Sequence, residues 1–146
     1  MKKSRRIVVL GGGISGYGSA ILAKKEGHEV LLSDAGRIAP QYKARLDEWS
    51  VEYEEGGHST ERILAADEVI KSPGIPDKAP IVKALRERGV PIISEMEFAC
   101  RYMGSARTIC ITGSNGKTTT TSIVGQIWEE AGLDPTIIVG GVVKGK

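Results

Sequence analysis

Short apolar runs rich in β-branched residues alternate with stretches of helical spacing through the first hundred residues, and that alternation leaves few folds open. "RIVVL" (6–10), "EVLLSD" (29–34), "VEYEE" (51–55), "DEVIKS" (67–72) and "VPIIS" (90–94) read as strands. Between and after them, 15–26, "QYKARLDEW", "TERILAA", "APIVKALRERG" and "EMEFACRYM" read as helices, the first stopped by Gly27. Strands that alternate with helices through short connections pack as a parallel sheet covered on both faces. The expectation is therefore an α/β chain with a Rossmann-like, doubly wound parallel sheet.

Two glycine clusters punctuate that pattern. The first, "VVLGGGISGYGSA", places Gly11, Gly13 and Gly16 directly after a strand and at the opening of a helix. There a tight turn aims backbone N–H groups at a phosphate, and the partial positive charge of the helix N-terminus favours an anion. Asp34 ends the second strand ~20 residues on, where such a fingerprint expects an acid for a ribose. The alternative is that these glycines serve only close packing of strand and helix, with Asp34 capping a turn. A dinucleotide and another diphosphate ligand are not told apart by this motif.

The second cluster lies in "TICITGSNGKTTTTSIVGQ" (108–126). Gly113 and Gly116 let N–H groups turn toward phosphate oxygens, Lys117 supplies a point charge, and the Thr118 hydroxyl is placed to bind Mg²⁺. Ile111 occupies the first glycine position of the usual GxxxxGK[ST] loop, so this is a shorter G-x-x-G-K-T form. Two anion cradles imply two ligands. The small-residue stretch "MGSAR" (103–107) separates them, which divides the chain into 1–104 and 105–146. The second part is expected to hold a single β-α-β unit, starting with "TICIT". A third stretch, "IKSPGIP", puts Pro73 and Pro76 around Gly74 at the carboxyl end of a strand, the edge where open α/β sheets bind ligands.

Composition excludes other classes. At 40% hydrophobic and 26% charged residues the chain is an ordinary globular one, and a net charge of +2 with scattered basic residues gives no reason for a nucleic-acid partner. "MKKSRR" before an apolar stretch has the outline of a secretory leader, but five glycines between Gly11 and Gly18 interrupt it and no small-residue cleavage site follows. No run approaches the ~20 apolar residues of a membrane span. Cys100 and Cys110 have no metal-type spacing, so a reducing, cytoplasmic setting without membrane insertion is expected.

The ordered trio "VVLGGGISG", "VIKSPGIP" with "GVPIISEMEF", and "ITGSNGKTTTT" resembles the N-terminal part of the Mur ligases, the ATP-dependent amide ligases of peptidoglycan precursor synthesis. The likeness covers residues 6 to 134. It implies that the first domain holds a UDP-sugar rather than a nicotinamide nucleotide and that the second begins the ATP-binding domain. By position, Gly13, Ile14, Ser15 and Gly16 would cradle the diphosphate, with Gly11 in the same turn. Ser72, Pro73 and Gly74 would form the opposite wall, and Asp34 with Arg37 would lie near the uridine. Gly113, Ser114, Asn115, Gly116, Lys117, Thr118 and Thr119 would hold ATP, with Thr118 on Mg²⁺.

The branch most resembled adds D-glutamate to UDP-N-acetylmuramoyl-L-alanine through an acyl phosphate. The remaining ATPase strands, further metal-binding acids and the amino-acid-binding domain would then lie past Lys146, leaving these residues inactive alone. Three alternatives stay open. The tail "GGVVKGK", with Val142 where the D-glutamate branch has asparagine, is closer to the sister ligase that adds L-alanine to UDP-N-acetylmuramate. Gly11, Gly13, Gly16 and Asp34 taken by themselves suit an NAD-binding oxidoreductase or regulatory module, and a noncatalytic sugar-nucleotide-binding module is the third.

Overall fold

A computed structural model describes residues 3–139; Val142 and the rest of the glycine-rich tail lie outside the described residues. The chain separates into two compact units, Met1–Gly104 and Ser105–Lys146.

The first unit is the expected sheet. Strands β1 (Arg6–Leu10), β2 (Glu29–Asp34), β3 (Glu52–Glu55), β4 (Glu68–Lys71) and β5 (Ile92–Ser94) are all parallel, in the order β3-β2-β1-β4-β5. Helices α1 (Ile14–Lys25), α2 (Pro40–Glu48), α3 (Thr60–Leu64), α4 (Pro80–Glu87) and α5 (Glu95–Cys100) alternate with them. Central strand β1 shows why both faces must be covered. Ile7 and Val9 pack on one side with Ala20, Leu46 and Phe98 from α1, α2 and α5. Val8 and Leu10 pack on the other with Ile63, Val82 and Leu85 from α3 and α4. Successive strand residues point to opposite faces, so a run that is apolar at every position needs two layers of helix.

Two buried clamps fix the amino-terminal edge of the sheet. The Glu68 carboxylate, 4% exposed, accepts from Arg101 at 2.8 Å and from Arg5 at 3.4 Å. Its hydrogen bond is the main reason the Arg101 guanidinium binds its proton more tightly than usual, with burial acting the other way. His28, also buried, takes the Arg5 N–H on Nδ1 at 3.3 Å and places Nε2 3.3 Å from the Tyr102 hydroxyl.

The second unit contains α6 (Lys117–Glu130), begun by Gly116 in the left-handed region at φ +75°. "TICIT" (108–112) forms no strand, and no described residue of this unit pairs in a ladder. A β-branched run becomes a strand only where a neighbour accepts its N–H and C=O groups, and one or two strands without a sheet are marginal in water. The expected β-α-β unit is thus represented by its helix and phosphate-type loop.

Candidate functional site

Strand order reverses direction between β1 and β4, so the connections from these two strands leave toward opposite faces and open a crevice beyond their carboxyl ends. Leu10 stands beside both Ser33 and Lys71 in register. The residues that follow, Gly11 and Ser72, therefore meet at the switch point. A Cβ on Gly11 would come within 2.8 Å of the Ser72 Cβ.

The glycine turn after β1 is shaped by packing. Gly16 lies so close to β1 that a Cβ there would fall 1.9 Å from the Gly11 carbonyl oxygen, which no side chain survives. Gly13 is different: its Cβ position is open, and it is the N-cap of α1. No side chain caps that helix and no acid occupies its first turn. Ile14, at 72% exposure, and Ser15 both face solvent there. A twelve-residue helix thus points bare amides outward from an open turn, the arrangement that suits an anion.

Asp34 is committed to the loops. Its Oδ2 accepts from the Gly12 N–H at 2.5 Å and its Oδ1 from the Gly36 N–H at 2.7 Å, tying the β1 turn to the β2 turn. Lone pairs on each oxygen remain for a ligand hydroxyl. Arg37 is exposed, and its charge helps, after the Lys43 hydrogen bond as the leading cause, to hold the Glu55 carboxyl below its usual range.

A cleft of 570 Å³ joins three of the predicted residues, Gly11, Asp34 and Gly74, and adds Ala35, His58 and Thr60 from the β2 and β3 ends. Ile75, Pro76, Ala79 and Pro80 give it an apolar wall. Pro73 faces away, into a neighbouring 430 Å³ recess with Lys71, Arg86 and Ile93. The "SPGIP" turn is held from below: Lys71 Nζ donates to the carbonyls of Ile75 at 2.8 Å and Ser72 at 3.4 Å.

Sequence reasoning missed His58, Lys71 and Glu95. His58 could have been found as the first side chain able to act after the β3 end, once "EEGGH" is read as strand followed by turn. Lys71 is hidden because its role is to bind backbone carbonyls. Glu95 is a buried carboxylate whose Oε1 has no hydrogen-bond partner among the described residues and lies 3.7 Å from where a Cβ on Gly16 would stand. Only tertiary packing brings α5 to the α1 turn.

In the second unit the predicted loop residues lie together ahead of α6. Lys117 Nζ donates to the carbonyls of Gly113 at 2.5 Å and Ser114 at 3.3 Å, closing the loop on itself. Thr121 and Ser122 bond back to the carbonyls of Lys117 and Thr118, whereas the Thr118 side chain has no hydrogen-bond partner among the described residues. The described residues hold no group of three or more His, Cys, Asp or Glu side chains arranged for a metal.

An all-parallel sheet with an uncapped glycine turn at its switch point defines a Rossmann-like α/β domain of the kind that binds phosphorylated ligands. The family described as Mur ligase MurD-like, N-terminal domain, matches residues 5–94, and the chain belongs to it. The UDP-N-acetylmuramoylalanine–D-glutamate ligase of Bacteroides fragilis is 57% identical over 130 residues, which is 89% of this chain and 29% of that protein. Among solved structures, the UDP-N-acetylmuramate:L-alanyl-gamma-D-glutamyl-meso-diaminopimelate ligase of Neisseria meningitides superposes with a TM-score of 0.70 at 26% identity, covering 97% of this chain and 44% of that one. The UDP-N-acetylmuramate-alanine ligase of Thermotoga maritima gives 0.63 at 26%, covering 95% and 32%. The chain thus spans under a third of the length of the ligase it matches at 57%, and that identity favours the D-glutamate branch over the alanine ligase. Among the described residues no helix is long and apolar enough to cross a membrane.

Proposed function

We propose that the first unit holds the UDP-sugar substrate, and the loop of the second unit the ATP, of a cytoplasmic ligase that adds D-glutamate to UDP-N-acetylmuramoyl-L-alanine in peptidoglycan synthesis. The division at 104/105 is then a division between two ligand sites. The observation that carries this reading is the 57% identity to a ligase of that name over 130 residues, 89% of this chain. The bare α1 N-terminus supports it: Gly13, Ile14, Ser15 and Gly16 would meet the diphosphate with backbone N–H groups, and Ser72 with Gly74 would close the other side. Asp34, while holding its two loops, would offer its remaining lone pairs to the ribose.

In the second unit the residues present fit a nucleotide phosphate in part. The Lys117 ammonium already sits in the loop mouth on two carbonyls, and Gly113 and Gly116 permit the tight turn. Lys117 would exchange those carbonyls for phosphate oxygens, and the unpartnered Thr118 hydroxyl would give Mg²⁺ one of its oxygen ligands beside phosphates and waters. Ser114, Asn115 and Thr119 would complete the loop's contacts. Bound ATP supplies the phosphoryl group that activates a carboxylate toward an amine. What Lys117 contributes is positive charge where negative charge develops.

Titration separates this reading from a nicotinamide site. The chain should bind UDP-N-acetylmuramoyl-L-alanine saturably and show a Tm that rises with the logarithm of ligand over Kd, with no such effect from NAD. Preference for NAD by a folded sample would overturn the reading. Lys117→Ala should weaken ATP binding and leave UDP-sugar affinity unchanged, since the two ligands use different units.

A further inference from the structure

One imidazole lines the switch-point cleft. His58 stands just beyond β3, half-buried, with Nδ1 2.7 Å from the Ser33 Oγ. Ser33 is fully buried, and its hydroxyl donates to Glu54 Oε1 at 2.6 Å, which also accepts the Ser59 N–H at 2.8 Å. Burial acts to raise the Glu54 carboxyl, but the hydrogen bonds from Ser33 and Ser59 and the field of Arg62 outweigh it and hold the group below its usual range. Glu54 is therefore an anion at neutral pH and has no proton to give.

A serine hydroxyl carries one proton. With that proton directed to Glu54, the Ser33 oxygen can only accept from the ring, so Nδ1 of the neutral imidazole must be the N–H. Nε2, which has no partner among the described residues, is left with a lone pair on a residue that lines the cleft. The Glu54–Ser33 relay thus makes His58 a hydrogen-bond acceptor. Around it, Ile75, Pro76, Ala79 and Pro80 offer an apolar surface of the kind a planar ring packs on.

Resting on the reading of the first unit as a uridine-nucleotide site, we propose that His58 Nε2 accepts the N3–H of the uracil ring and so selects uracil over cytosine. Uracil N3 carries a proton; cytosine N3 carries a lone pair, which would face the lone pair of Nε2. A site built to receive a donor rejects the analogue without it, because the acceptor is left unpaired. His58 is then a specificity residue, and Ser33 a positioning residue acting through its tautomer.

The test begins with the unaltered 146-residue chain, whose imidazole nitrogen resonances report the tautomer directly. The Nδ1–H form is expected for His58, and the Nε2–H form would overturn the proposal. Titration with UDP and CDP should then show UDP bound about ten- to a hundredfold more tightly. His58→Phe should lose about tenfold in UDP affinity and most of that preference, and Ser33→Ala, which frees the tautomer, should show a smaller loss of both. Equal binding of UDP and CDP by the unaltered chain, or an undiminished preference in folded His58→Phe, would remove the His58 assignment alone. Binding of neither nucleotide to the folded, unaltered chain would remove it together with the uridine-site reading.

Discussion

The two units of this chain carry the same kind of local signature, a glycine turn opening a helix, on very different foundations. In the first, the turn after β1 sits on a five-stranded sheet with buried helices on both faces. In the second, α6 buries only Gly125, against the Ile137 side chain, while Ile123, Ile127 and Leu133 remain more than half exposed. The difference teaches what each layer of information contributes. Loop chemistry is local and survives with little packing beneath it, whereas a strand exists only through its neighbours.

Core substitutions should show the sharpest contrast. Phe98→Ala removes a fully buried ring and should cost about 3–5 kcal/mol of stability, enough to threaten the fold of the first unit. Ile127→Ala, at a position 57% exposed, should change stability by no more than about 0.5 kcal/mol. Denaturant titration of both variants checks this, and a large effect at Ile127 would break the comparison.

Glycine substitutions sharpen it. Gly16→Ala drives a methyl into the Gly11 carbonyl and should destabilise by about 3 kcal/mol while abolishing UDP-sugar binding. Gly116→Ala meets nothing within 4 Å and is strained only by its φ of +75°, so about 1 kcal/mol is expected. Thermal unfolding with and without ligand separates the two effects.

Glu68→Ala removes the carboxylate shared by Arg5 and Arg101. Both arginines are 39% exposed and can rehydrate, so the expected loss is about 2 kcal/mol, below that of a wholly buried pair. A smaller effect is expected from Glu54. Its carboxyl titrates below its unfolded value, so the stability it contributes is present above about pH 4.3 and is lost as the pH falls through the folded value. Glu54→Gln should remove that contribution, lowering stability slightly at pH 7 and flattening the acid limb of the curve, with little change once the pH is below the folded value; denaturant titration across pH checks this.

Much of the first unit is legible in the sequence. The runs at 6–10 and 29–34 become β1 and β2 with the same ends, because the apolar run gives way to glycine in one and to a polar Ser-Asp pair in the other. Helix α5 ends at Cys100, earlier than its apolar spacing suggests, and Tyr102 turns back to pack on Phe98. The glycines of the first cluster are readable as a turn, but that Gly16 is required by the Gly11 carbonyl and Gly13 by nothing nearby is visible only in three dimensions. Asp34 is found by its distance from the glycines, yet its bonds to Gly12 and Gly36 are tertiary facts. His58 escapes because a single histidine after a short, partly exposed strand carries no pattern; Ser33, buried on another strand, gives it its chemistry. "TICIT" misleads for the opposite reason, having the composition of a strand without a described partner.

The central claim is that the sugar nucleotide is held by the first unit alone, beyond the ends of β1, β2 and β4. Amide chemical-shift mapping of the chain with UDP-N-acetylmuramoyl-L-alanine tests it most directly. The account predicts perturbations at Gly13, Ile14, Ser15 and Gly16, around Asp34 and His58, and at Ser72 and Gly74, with Gly113 to Thr119 unmoved until ATP is added. Shifts centred on Gly113 to Thr119 with the UDP-sugar, or a silent first unit in a saturated sample, would contradict it.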